Sequence, residues 1–183
     1  MRKFLLPLLI FLIACGGKKK EAGTKNENTY YLLSLEGIDS LKLGMTKVQL
    51  EKVLNTTLNL KHIKVDEAGY DTVPVKYKDA DLILYLEEDR DSSVAHLIGL
   101  STSYPSCKTT SGIAVGTDKI NVIETYADHL KYVAPEYEVY PVRSLTKSVV
   151  AVMDTAMPYK ALVFHIVNRK VVSMELSSYY EFY

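Results

Sequence analysis

Two thiols, four imidazoles and one acidic run are the groups with which this chain of 183 residues could do chemistry. Cys107 sits in Ser103-Tyr104-Pro105-Ser106-Cys107-Lys108-Thr109, and an ammonium beside a thiol, as Lys108 could supply, can lower its pKa and raise its reactivity. A single Cys without a clear His or Asn context is no nucleophile signature, so a partly buried, inert thiol is expected. His62, His96, His129 and His165 show neither H-x-x-H nor H-E-x-x-H spacing. A metal site would have to be assembled wholly by tertiary structure, and none is expected. Glu87-Glu88-Asp89-Arg90-Asp91 is acidic like a calcium loop but lacks the required Gly and closing Glu, so it reads as a solvated hairpin tip. The chain contains no G-x-S-x-G and no Gly-rich phosphate loop. No catalytic residue, metal or cofactor is expected, and the chain does not read as an enzyme.

The second thiol, Cys15, has a different setting. It closes Leu12-Ile13-Ala14-Cys15, behind a basic start at Arg2 and Lys3 and an apolar run from Phe4 to Ile13 broken only by Pro7. That run is too short to span a bilayer, and small Ala14 stands where a signal peptidase needs a small side chain. These residues resemble the signal peptide of bacterial lipoproteins, and the resemblance covers residues 1–15. It implies a signal peptide over 1–14 and lipidation at Cys15, with a diacylglycerol on the thiol and a further acyl chain, such as palmitate, on the amine. Each buried methylene contributes roughly 0.8 kcal/mol, so several chains hold a protein where one is marginal. The implied location is the bacterial cell envelope, lipid-anchored, and Gly16 in place of an Asp favours the outer membrane. An ordinary secretory signal with a chance Cys is the competing reading.

Residues 15–29 hold almost nothing that could be buried and read as a lipidated Cys followed by a flexible tether. Lys18, Lys19 and Lys20 lie there, where they could touch anionic lipid or merely solvate the linker. Cleavage before Cys15 would remove Arg2 and Lys3 and no acid, leaving 20 basic against 22 acidic residues. That balance gives no footprint for nucleic acid.

From Tyr30 onward the pattern repeats at an offset of 72. Leu41-Lys42-Leu43-Gly44-Met45-Thr46-Lys47-Val48-Gln49-Leu50 matches Ile113-Ala114-Val115-Gly116-Thr117-Asp118-Lys119-Ile120-Asn121-Val122. Each copy ends an apolar stretch at a Gly and begins a helix, with Thr46 and Gln49 forming a capping box and Asp118 taking the place of Thr46. Leu50, Val53, Leu54 and Leu58, and in the second copy Val122, Tyr126 and Leu130, would give each helix an apolar face. Hairpins are expected at Leu82–Leu86 with Val94–Leu100 and at Leu162–Ile166 with Val171–Leu176. Weaker strands precede them at Leu58–Val65, Thr72–Lys76, Tyr137–Val142 and Val149–Met153. The expected fold class is α+β, two tandem helix-plus-antiparallel-sheet repeats over 30–107 and 108–183 packed as one unit.

The apolar-x-apolar-Gly-Met-Thr phrase, followed by an amphipathic helix and a hairpin, resembles the helix-plus-sheet module of the small assembly-factor lipoproteins of the outer-membrane β-barrel insertion machine. In tandem form it is similar to the secreted β-lactamase inhibitor protein. That resemblance covers about residues 38–183, is fullest at Leu43 to Leu54, and implies a binding or scaffolding role by analogy only. Fourteen tyrosines and no Trp stand in the chain, and Tyr179, Tyr180, Phe182 and Tyr183 crowd its C-terminus as candidate interaction residues. The expected function is therefore a membrane-anchored envelope lipoprotein acting as a protein-interaction or scaffolding module, with a protein partner in the envelope. A periplasmic carrier or sensor of a small apolar ligand is the alternative.

Overall fold

The computed structural model describes residues 31–60, 70–89, 92–139, 142–153 and 159–178. The first strands are short: β1 (Tyr31–Ser34), β2 (Gly37–Ile38) and β3 (Leu41–Lys42) lead into α1 (Lys47–Leu54). Next come β4 (Asp71–Tyr77), β5 (Ala80–Glu88), β6 (Ala95–Thr102) and β7 (Cys107–Thr109). Helix α2 (Lys119–Thr125), a 3-10 turn at Ala127–His129, β8 (Leu130–Val139), β9 (Val142–Met153), β10 (Ala161–Val167) and β11 (Lys170–Ser177) complete the order.

The α+β expectation is wrong. Among the described residues 56% are strand and 14% helix, and the architecture is two sheets with only two helices. Both helices are shorter than their apolar spacing predicts. α1 stops at Asn55, which takes a left-handed conformation (φ 51°), so Leu58 lies beyond the helix. α2 lasts seven residues, four of them β-branched (Ile120, Val122, Ile123 and Thr125), and Leu130 belongs to β8. Branched side chains lose rotamer freedom in a helix and pack well on a pleated surface.

β4 to β6 and β8 to β11 form a wholly antiparallel seven-stranded sheet in the order β4-β5-β6-β11-β10-β9-β8. Its centre is the β6–β11 pairing, Gly99 opposite Ser177 and Thr102 opposite Met174. The second sheet runs β3-β2-β1-β7, with β1 and β7 parallel and Tyr31 opposite Cys107. This small sheet and both helices cover one face of the large sheet. Tyr31, Leu33, Ile38, Leu41, Leu50 and Val122 meet Leu84, Leu100, Phe164, Met174 and Leu176 there in one core.

Each helix is fastened to the large sheet by backbone bonds. Gly44 donates to Leu97 O (2.8 Å) and Leu97 donates to Met45 O (2.9 Å). At the second entrance Gly116 donates to Val171 O (2.8 Å) and Val171 to Thr117 O (2.9 Å). Both glycines have positive φ, 81° and 91°. The caps differ. Thr46 Oγ1 accepts from Gln49 N while Gln49 Oε1 accepts from Thr46 N, whereas the Asp118 carboxylate makes no cap bond and takes Lys170 Nζ at 2.9 Å instead.

A candidate interaction face on the large sheet

Among the described residues, the groups that the sequence singled out do not converge. Cys15, His62 and the four C-terminal aromatics Tyr179, Tyr180, Phe182 and Tyr183 lie outside the described residues, as do Arg90 and Asp91 of the acidic run. Cys107 is a free, fully buried thiol in β7, and burial pushes its pKa up, opposite to the effect expected of Lys108. His96 leans on the first helix entrance, Nδ1 lying 3.3 Å from Gly44 O. His129 closes the 3-10 turn and lines a groove of about 330 Å³ between β1, α2 and the ends of β9 and β10. That groove, with Leu33, Leu35, Tyr126, Val152 and Leu162 on its walls, is open to solvent.

His165 has the most developed surroundings. It projects from β10 on the face opposite the core, since Phe164 beside it on the strand is buried among the core residues. Its Nδ1 lies 3.2 Å from Glu136 Oε1 on β8 and its Nε2 3.4 Å from Glu175 Oε2 on β11. The bond to Glu175, then that to Glu136, raises the imidazole pKa against the opposing effect of burial. Protonated, the ring donates to both carboxylates and ties three strands together, and the trio then carries one negative charge.

The rest of that outer face can be read along a single cross-strand row: Pro74, Ile83, Ser101, Glu175, Val163, Ala151 and Tyr132 from β4 to β8. Its two ends differ. Over β9 and β10, Val149, Ala151, Ala161 and Val163 form a buried cluster flanked by Tyr132 and Met153. Over β4 to β6 the row is open, with Pro74 exposed and Ile83 40% exposed. Tyr85 stands beside them, half-buried, its hydroxyl donating to Ser101 Oγ at 3.0 Å and its ring met edge-on by Tyr70 at 5.5 Å. Gly99 makes room for this ring: a Cβ there would stand 2.8 Å from Leu176 O and 3.0 Å from Tyr85 Cδ2. Burial raises the Tyr85 pKa, so the phenol stays a neutral donor.

The sheet edges offer less. β4 carries Pro74 and β8 carries Pro135 with three breaks in its register against β9, features that blunt an edge against strand addition. Among the described residues no three His, Cys, Asp or Glu side chains gather as metal ligands, and no helix is long and apolar enough to cross a membrane. The signals for this face were in the sequence, as Tyr85 and His165 in corresponding hairpin strands, but their partners Ser101, Glu136 and Glu175 were not singled out. Comparison with protein-family models, with curated proteins and with solved structures finds no match to the chain.

Proposed function

We propose that the protein is a lipid-anchored lipoprotein of the bacterial envelope that engages a protein partner through the outer face of its seven-stranded sheet. The observation carrying this reading is the open row over β4 to β6, where Ile83 and Pro74 lie exposed beside the Tyr85–Tyr70 pair. Rigid tyrosines with a polar tip give contact area at low entropic cost, and Glu175, opposite Ser101 on the same row, favours a partner that brings a cation. The anchor is carried by Cys15 in its Leu-Ile-Ala-Cys setting. Tyr179, Tyr180, Phe182 and Tyr183 belong to the same proposal as an extension of the surface, on the sequence argument alone.

The test joins both parts. Cys15→Ala should move the protein from the detergent phase to the aqueous phase, and retention in the detergent phase would sink the anchor. A photo-crosslinker at Ile83 should capture one discrete envelope protein in intact cells, and Tyr85→Ala should abolish the adduct while a crosslinker at Val48, 74% exposed on α1, captures none. Equal capture from both positions removes the outer face from the reading.

A further inference from the structure

The two helix entrances sit at opposite ends of the large sheet, because β6 and β11, which each receive one of them, run antiparallel. They differ in the balance of charge as well, although Lys160 stands beside the acidic run at the first end and Asp79 and Asp118 lie at the second. Beside the first entrance, the end of β5 and the turn after it carry Glu87, Glu88 and Asp89. At the second end, β8 and β9 run on past the last pairing of β10, Val167 opposite Lys147, as a two-stranded arm. Arg143 and Lys147 stand on this arm, and Arg169 lies in the β10–β11 turn, whose Asn168 donates to Thr146 O at 2.9 Å. All three are exposed, and among the described residues none of them makes an ion pair. Between Arg143 and Lys147 the arm holds out Leu145, 100% exposed, and before Arg143 stands Val142, 58% exposed; Ile120 of α2, the helix packed on β9, is half exposed.

The chain also enters the fold at this end. Tyr31, the first described residue, hydrogen-bonds Asp79 in the β4–β5 turn and packs on Tyr77. That turn lies at the same end of the sheet as the β10–β11 turn, since β5 runs from it toward the acidic end. Fifteen residues, 16–30, separate Tyr31 from Cys15.

We propose that this end, with Arg143, Lys147 and Arg169 around Leu145 and Val142, rests on the anionic phospholipid surface that holds the chain. The inference depends on the lipid anchor of the preceding section and specifies the orientation that anchor allows. Basic side chains are drawn to an anionic leaflet at roughly five-fold per cation, an exposed Leu and Val supply the apolar contact at the headgroup boundary, and the acidic end is repelled. The outer face then stands upright from the membrane, accessible to a partner from the side.

The experiment uses the full acylated protein in vesicles, with an environment-sensitive dye on Thr146→Cys in the arm or on Val48→Cys at the acidic end. Labelling is kept brief, so that buried Cys107, which reacts only when its seam opens, does not compete. The vesicles contain phosphatidylcholine with or without phosphatidylglycerol, and a spin-labelled phospholipid as quencher. The dye at 146 should be quenched in the anionic vesicles and much less in phosphatidylcholine alone, while the dye at 48 stays unquenched in both. R143Q/K147Q/R169Q should weaken the docked state roughly a hundred-fold, with full incorporation into the vesicles. If the dyes at 146 and 48 respond alike in protein that is fully incorporated, the orientation is wrong and the anchor stands. Failure to incorporate at all counts against the anchor and removes the basis of the orientation. Shielding of the 146 dye that grows with protein density and is indifferent to phosphatidylglycerol would assign the arm to a second copy and overturn the proposal.

Discussion

Tyr85 and His165 occupy the same place in two hairpins built alike, and they spend it on different chemistry. Each is the last residue before a bulge that breaks the register with the partner strand, β6 or β11. Each reaches across to that strand, Tyr85 to Ser101 and His165 to Glu175, and each hairpin is fastened to a helix entrance by the same two backbone bonds. The phenol makes a neutral bond and holds an exposed apolar strip in shape. The imidazole makes bonds whose strength depends on a proton and closes its half of the face with a carboxylate on either side. Where the backbone alone secures a hairpin, the side chains on its far face are free to diverge.

The largest test of the comparison lies under the two helices. Leu50 and Val122 hold corresponding places and both are fully buried. Leu50→Ala should cost about 2–5 kcal/mol, and Val122→Ala less by about 0.8 kcal/mol, the value of one methylene. Urea denaturation of the two variants measures both, and a much smaller cost at Val122 would mean that the second helix contributes little to the common core.

A smaller difference is expected at the caps. Thr46→Ala removes a capping box and should lower stability by about 1 kcal/mol. Asp118→Ala removes an exposed ion pair to Lys170, worth between about 0 and 1 kcal/mol, and its cost should shrink as salt is added while that of Thr46→Ala should not. Equal and salt-independent losses would contradict the division of labour seen at the two entrances.

The smallest effect is the proton at His165. Its pKa is raised in the folded protein, so the bridge stabilises fully below the unfolded value of about 6.5 and its contribution is lost as pH rises through the folded value. All three partners are partly exposed, and screening keeps the contribution to about 1 kcal/mol or less. His165→Asn should flatten stability against pH in this window and Tyr85→Phe should leave it unchanged. An unaltered slope in His165→Asn would place the titrating group elsewhere.

Local features of this fold were legible where short-range chemistry decides them. The capping box at Thr46 and Gln49, the glycines at both entrances and the pairing of Leu82–Leu86 and Leu162–Ile166 with the strands that follow rest on contacts between near neighbours. The balance of the classes was not legible. Asn55 could have continued α1 or turned left-handed, and the branched run from Ile120 to Thr125 satisfies a helical period while favouring extended chain. The small sheet escaped notice because two-residue strands such as Gly37–Ile38 carry no period, and its β1–β7 pairing joins residues far apart in sequence. The outer face was hidden for a similar reason: Glu136, His165 and Glu175 meet only after three strands are in register.

The seam between Tyr31 and Cys107 joins the start of the fold to the segment linking its two hairpins. A lone thiol at such a seam, wholly shielded and held protonated, works as a stopwatch for opening. With enough reagent that alkylation outpaces reclosing, its modification should proceed at the rate at which β1 lifts from β7, so the time course would report how often this seam comes apart without any added label.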